Sequence, residues 1–308
     1  MESTMDDHGI RLAQEAPSLD PDTMKRISDI LKGETYTPPG MDVMSKVRHH
    51  LDPVRAIEQF AVLKRYVPEL EGKRLLEVGL GFGSFQSCAR AMGVETFGLE
   101  PGWRRARAAR RVWPLLSEPE HNLVIGVGEH LPFDDGVFDV VYSTNVLEHV
   151  QDPWTVLQEA FRVLKPGGYL QFIFPNYGSV WEGHYCIPWL PYTPRWLGKL
   201  YVRLLGHDPS FLDTLQTGLT PIWVKRALRS LGNVRVVSMG LEVFQERLIS
   251  PKYEGWEGTA TLIGALQLLR RLGVANILQL IVRVFSLYTP FILTLQKPAP
   301  QEIRVDTQ

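Results

Sequence analysis

From Lys73 onward the chain alternates short apolar runs with longer segments in which apolar residues recur at helical spacing. The runs Arg74–Gly79, Val94–Glu100, Asn122–Val127, Phe138–Ser143 and Tyr169–Pro175 are of strand length and rich in Leu, Val, Ile and Phe. Strands buried on both faces need that composition, and strands separated by helices predict a parallel sheet covered on both sides. Upstream, Asp52-Pro53 predicts a helix start, with the carboxylate as N-cap and proline at the first helical position. Ile57, Phe60, Ala61 and Leu63 form the apolar stripe of that helix. Downstream, Val234–Met239 and Tyr288–Leu295 predict two further strands, one of them a late antiparallel addition.

The same patterning divides the chain. Residues 1–50 are polar, with the turn-rich "TYTPPG", and predict an extension with short helices at most, either a lid or a mobile arm. Residues 51–175 hold the alternating core, and 176–220 form an insertion crowded with Trp181, Tyr185, Trp189, Tyr192, Trp196 and Tyr201. Between Gly183 and His207 that insertion has no acidic residue. Thr220-Pro221 caps a further helix, and residues 221–298 complete the sheet around an apolar helical insertion at 259–287, before a tail at 299–308. The fold class expected is α/β: a Rossmann-like, doubly wound and mostly parallel sheet with aromatic and helical insertions.

Composition changes this picture little. A chain of 308 residues with 44% hydrophobic and 22% charged residues can bury a large core, and its net charge of -1 gives no pull towards nucleic acid. The arginine-rich segment Trp103–Trp113 fits a solvated helix face, because Ala106, Ala109 and Trp113 supply its packing stripe. Cys88 and Cys186 suit neither a disulfide framework nor a zinc site. The N-terminal "MESTMDDHGI" lacks the basic and apolar regions of a secretory signal, so a cytoplasmic protein is expected. Arg270, Arg271 and Arg283 interrupt the apolar stretches near the C-terminus, which leaves no membrane-spanning helix. The insertion at 259–287 then suits core, a homodimer seam or a peripheral contact with the membrane.

The candidate chemistry centres on Leu75–Phe85, "LLEVGLGFGSF", a strand ending in Glu77 and Val78 followed by Gly79, Gly81 and Gly83 and a helix start at Ser84. A dinucleotide turn, G-x-G-x-x-G, would need glycine where Ser84 stands. Glycines at alternate positions behind a carboxylate resemble motif I of the class I S-adenosylmethionine-dependent methyltransferases. An acidic rim suits a cofactor that carries a sulfonium and an ammonium and would repel a pyrophosphate. Further segments share the resemblance in the right order: Glu100 at the end of the second strand, Glu129 before "LPF", the fourth strand leading into "NVLEHV", and "VLKPGGYLQF". They are similar to the small-molecule, type 11-like branch of that family over residues 52–175.

The resemblance implies S-adenosyl-L-methionine as cofactor and a role for each matched residue. Glu77 would hold the methionine ammonium, the backbone at Gly79, Gly81 and Gly83 would let the cofactor approach, and Glu100 would take the ribose hydroxyls. Glu129 and the backbone of His130 would meet the adenine, and Asn145 and Leu147 would line the methionine end. The protein would then be an enzyme moving a methyl group to a small-molecule, glycan or lipid-linked acceptor, most readily on oxygen. The alternatives are an NAD(P)-dependent oxidoreductase and a non-catalytic S-adenosylmethionine-binding or assembly protein.

Methyl transfer to a hydroxyl needs alignment and a base. His149, just past the fourth strand, and His184 in "WEGHY" are the candidates, each with a packing role as the alternative. In ubiquinone-biosynthesis O-methyltransferases a carboxylate three residues before a Glu-His pair helps bind a divalent ion. Here that place holds Asn145, a weaker ligand, so no metal is expected.

Overall fold

The computed structural model describes residues 20–34, 51–116, 122–249 and 275–299. Most of the expected N-terminal extension, the first part of the 259–287 insertion and the tail from residue 300 lie outside the described residues. Nine strands are described: β1 Arg74–Val78, β2 Glu95–Glu100, β3 Asn122–Ile125, β4 Phe138–Thr144, β5 Leu164–Phe174, β6 Trp181–Glu182, β7 Ile187–Pro188, β8 Arg235–Ser238 and β9 Phe291–Gln296. Seven of them make one sheet in the order β3-β2-β1-β4-β5-β9-β8, and β6 pairs with β7 alone. The chain clusters into two compact units, residues 1–142 with 159–169, and residues 143–158 with 170–308.

In the first unit β1 runs parallel to β2 and to β4, with Glu77 opposite Gly98 on one side and Tyr142 on the other. β2 pairs in parallel with β3, which places Glu100 opposite Ile125. Its helices are α1 Pro21–Glu34, α2 Pro53–Tyr66, α3 Ser84–Ala91 and α4 Trp103–Val112. Asp52 caps α2 as expected, accepting from the Val54 N–H at 2.9 Å. α4 buries Ala106, Ala108, Ala109 and Val112 and leaves all its arginines exposed, so the basic run is a solvated face. Ile27 and Leu31 of α1 pack in one cluster with Leu80 and Phe82 of the glycine turn and Trp113 beyond α4. The Trp113 indole donates to the Phe82 carbonyl at 2.8 Å, so this cluster braces the turn from behind.

Helix α5, Pro153–Val163, ends three residues before Pro166, and β5 starts at Leu164, well ahead of the expected Tyr169. Two contacts draw the "LKPGG" segment into the strand. Lys165 pairs with Asp139 at 2.8 Å, and at Gly168 any Cβ would come within 2.9 Å of the Asp139 carbonyl.

In the second unit β8 and β9 pair antiparallel, Val236 opposite Leu295, which supplies the late antiparallel element. Gln171 of β5 donates to Thr294 of β9 at 3.0 Å in the buried interior. The aromatic insertion folds as the β6–β7 hairpin, α6 Arg195–Leu204 and a 3-10 turn at Pro209–Thr214, followed by α7 Pro221–Leu231, which Thr220 caps. Trp189 lies edge-on to Tyr177 and Tyr201. Gly198 belongs in the middle of α6 because a Cβ there would meet the Trp189 ring at 2.6 Å. Helices α8 Leu241–Ile249 and α9 Ala275–Phe285 complete the unit. Among the described residues no helix is long and apolar enough to cross a membrane.

Candidate active site

The first group of candidate residues gathers where β1 and β2 end. Gly79, Gly81 and Gly83 have φ of 85°, 59° and 84°, left-handed values that β-carbon sterics deny to most residues. Alternate glycines are therefore the local requirement of this turn. It is tied to β2 by the Gly79 and Leu80 N–H groups, which donate to the Leu99 carbonyl at 2.8 and 3.0 Å. A Cβ on Gly81 would meet nothing within 4 Å, so the turn presents bare backbone to open space.

Two carboxylates sit beside this turn. Glu77 is 3% exposed, and its Oε2 is buried without a hydrogen-bond partner. Burial, reinforced by the charge of Glu100, holds its carboxyl proton well above the usual carboxylate range. Glu100 is held by its own neighbours: the Gly81 N–H donates to one oxygen at 3.3 Å, the Gly102 N–H to the other at 3.1 Å, and Arg105 stands 3.5 Å away. Burial raises its pKa, and Arg105 and the two amides only partly offset that. A buried carboxyl with one oxygen unpartnered, two residues before an open glycine turn, fits a ligand that brings a positive charge to the turn.

Glu129 and His130 follow β3, half-buried and exposed respectively. The His130 N–H is already engaged with the Val127 carbonyl at 3.2 Å. The loop beyond them is pinned by two residues the sequence reading passed over. Glu159 accepts from the Leu131 N–H at 2.9 Å, and Arg162 donates to the carbonyls of Leu131 and Phe133 and to Asp135.

The second group lies in the segment after β4 and in the aromatic insertion. Asn145 is exposed and holds a left-handed φ of 52°, a conformation its short amide tolerates better than most side chains. Its N–H donates to the Ile173 carbonyl at 2.8 Å, and Leu147 beyond it is buried. The structure brings His149 and His184 together, with ring centroids 5.7 Å apart and Phe211 against both.

Two acids, missed as candidates, complete that group. Glu182 accepts from or shares a proton with His184 Nδ1 at 2.8 Å and accepts from the Tyr185 N–H at 2.7 Å. Glu148 is fully buried, neither of its oxygens has a hydrogen-bond partner, and Oε1 lies 3.9 Å from His184 Nε2. Burial pushes the Glu148 carboxyl up to about 7, with His184 pulling the other way. Burial works against a charged His184, but the hydrogen bond and charge of Glu182 and the charge of Glu148 outweigh it and raise its pKa. The Glu148 carbonyl accepts from the Gln216 N–H at 2.7 Å, and the Gln216 amide reaches the Val150 carbonyl at 2.8 Å, so residues 148–150 are strapped in place. One ligand atom each from Glu148, His149 and His184 lies within 4.8 Å of the others. In the sequence Glu148 adjoins His149 in "LEHV" and Glu182 stands two residues before His184 in "WEGHY".

Residues 76–172 match the methyltransferase domain family. An uncharacterized methyltransferase of Mycobacteroides abscessus is 31% identical over 164 residues, 52% of this chain and 61% of that protein. One from Mycolicibacterium vanbaalenii is 36% identical over 138 residues, 45% of this chain and 53% of that protein. The chain thus spans between about half and three-fifths of those relatives. Among solved structures, phosphoethanolamine N-methyltransferase 2 of Haemonchus contortus, in complex with phosphomonomethylethanolamine and S-adenosylhomocysteine, aligns at 18% identity with a TM-score of 0.48. That alignment covers 89% of this chain and 60% of that one.

Proposed function

We propose that this chain, whose core is a class I S-adenosylmethionine-dependent methyltransferase domain, moves a methyl group from S-adenosyl-L-methionine to an oxygen of a small-molecule, glycan or lipid-linked acceptor. The observation that carries the reading is the open left-handed turn Gly79–Gly83 just after Glu77, whose buried Oε2 has no hydrogen-bond partner. A buried oxygen without a donor, as at Glu77 Oε2, is costly, and the ammonium of the cofactor would supply the missing hydrogen bond and a compensating charge. Glu100 would accept from the ribose hydroxyls while keeping its amide donors, since a carboxylate has acceptor capacity to spare. Glu129 would accept from the adenine amine, and Asn145 and Leu147 would border the methionine end.

When bound, the cofactor supplies an electrophilic methyl group on a sulfonium, open to in-line displacement. The protein's share is to align the acceptor, exclude water and take a proton from a hydroxyl. The cluster of Glu148, His149 and His184 is where an acceptor hydroxyl would lose that proton, and it supports the choice of oxygen as acceptor atom. Glu182 is the positioning residue, fixing the His184 ring through Nδ1.

A lipid-linked acceptor is favoured by the exposed stripe Trp196, Leu200 and Leu204 on α6. Spaced at i, i+4 and i+8, these side chains share one helix face, and such a face suits peripheral contact with a membrane.

Calorimetry with S-adenosylmethionine, its demethylated product and NAD tests the cofactor, and binding of NAD alone would sink the reading. A radiolabelled methyl-transfer screen against lipid and glycan extracts tests the acceptor. Label is expected in an ether or ester product of the wild-type chain, and at least ~100-fold less with His184→Ala.

A further inference from the structure

The cluster of Glu148, His149 and His184 is built for more than a proton. Glu148 and Glu182 are 0% and 2% exposed, and among the described residues the ion pairs that either makes are with His184 alone. Both Glu148 oxygens are buried beside that imidazole without a hydrogen-bond partner, an arrangement that a bound cation would complete.

The geometry specifies where that cation sits. Glu182 engages His184 through Nδ1, which leaves Nε2 directed at Glu148 Oε1. The separation there, 3.9 Å, is too long for a hydrogen bond. It does suit two ligands of one ion, because metal–ligand bonds of ~2.0–2.2 Å set ligand atoms roughly 3–4 Å apart. His149 brings a third donor within 4.8 Å of both, and its exposed ring needs only a small turn to reach the same ion. The surroundings are those of a metal site as well. A carboxylate behind a ligating histidine fixes its tautomer and raises its basicity, and here Glu182 stands in that place, itself held by the Tyr185 N–H.

We infer that Glu148, His149 and His184 Nε2 bind one first-row divalent cation of the zinc class. Two imidazoles and one carboxylate select such ions over magnesium or calcium, and three protein ligands leave positions open for a substrate oxygen. The absence of metal expected from the sequence turned on Asn145. The inferred site does not use that position, because the insertion supplies His184 instead. A hydroxyl bound to such a cation loses its proton to solvent far more readily than a free one. That role rests on the methyl-transfer reading above, whereas the binding of the cation does not.

The test is a titration of the full chain, first dialysed against chelator, with zinc chloride by calorimetry and cobalt chloride by visible absorption. One zinc ion per chain is expected, with cobalt bands distinct from those of the hydrated ion. His184→Ala and Glu148→Gln should each weaken zinc at least ~100-fold, and Glu182→Gln ~10–100-fold. Thermal denaturation separates misfolding from ligand loss: zinc should raise the melting temperature of the wild-type chain and leave that of His184→Asn unchanged. Absence of zinc binding to the wild-type chain, or undiminished affinity in both His184→Ala and Glu148→Gln, would overturn the inference. S-adenosylmethionine calorimetry on the same samples keeps the two readings apart. Cofactor binding without zinc removes only the cation, and zinc binding without cofactor removes only the methyl-transfer reading.

Discussion

Glu77 shows how one side chain can cost the free protein stability while, on the proposed reading, it serves the cofactor. In the absence of cofactor, burial and then Glu100 keep its carboxyl proton bound well above the ordinary value of 4.5. The unfolded chain gives up that proton near 4.5, so the folded state binds more protons over the interval between the two values. Stability therefore falls as pH rises from about 4.5 towards the folded pKa and stays low above it. Glu77→Gln removes the ionisation and should raise the melting temperature of the cofactor-free protein at pH 8, with the gain shrinking to nothing by about pH 4.5. The same variant should bind S-adenosylmethionine ~10–100-fold more weakly by calorimetry, the range expected for a lost hydrogen bond to a charged group. A variant that melts earlier than wild type at pH 8 would show that Glu77 is already paired in the free protein.

At the scale of elements, the turn from β8 into α8 depends on one glycine. Gly240 has φ of 88°, and a Cβ there would stand 2.9 Å from the Ile292 backbone nitrogen and 2.7 Å from its Cβ. Gly240→Ala should cost about 2–4 kcal/mol, from the left-handed backbone and the overpacking against β9 together. Urea denaturation would show this as a lower midpoint, and a shift below ~0.5 kcal/mol would mean that α8 moves aside freely. The sequence disclosed elements whose cause is local: the alternating core, the Asp52 and Thr220 caps and the glycine turn, where left-handed φ demands glycine at each alternate position. It hid whatever arises from pairing across the chain. The early start of β5 depends on Asp139 meeting Lys165 and Gly168. The helix α1 has its apolar face explained only by the glycine-turn cluster it packs against. The candidate site divides the same way. Glu77 and Glu100 are read from strand ends, whereas the approach of His184 and Glu182 to Glu148 is set by a hairpin whose fold no local pattern announces.

For the molecule as a whole, charge and apolar surface give different expectations for a membrane. The net charge of -1 offers no general attraction to anionic lipid, so any attraction must be local. On α6, Arg195 donates to the Leu215 carbonyl at 2.7 Å and Lys199 pairs with Asp213 at 2.6 Å, while Arg203 is exposed. Two of the three cations are thus committed within the protein, and what α6 offers outward is chiefly Trp196 and Leu204, 70% and 75% exposed, with Leu200 between them. Association with vesicles should then depend on insertion of apolar side chains more than on charge. In flotation, the full chain is expected to rise with phosphatidylcholine vesicles as well as with vesicles containing phosphatidylserine. The preference for the anionic ones should be only about fivefold, the weight of roughly one basic side chain near the surface. Trp196→Ser with Leu200→Ser and Leu204→Ser should abolish flotation while leaving S-adenosylmethionine binding intact, because the residues proposed to hold the cofactor all lie elsewhere in the chain. Loss of flotation in high salt would assign the contact to charge instead. A wild-type dimer in sedimentation, abolished by the same triple substitution, would show that a second copy of the chain covers this face, and the case for a lipid-linked acceptor would fall with it.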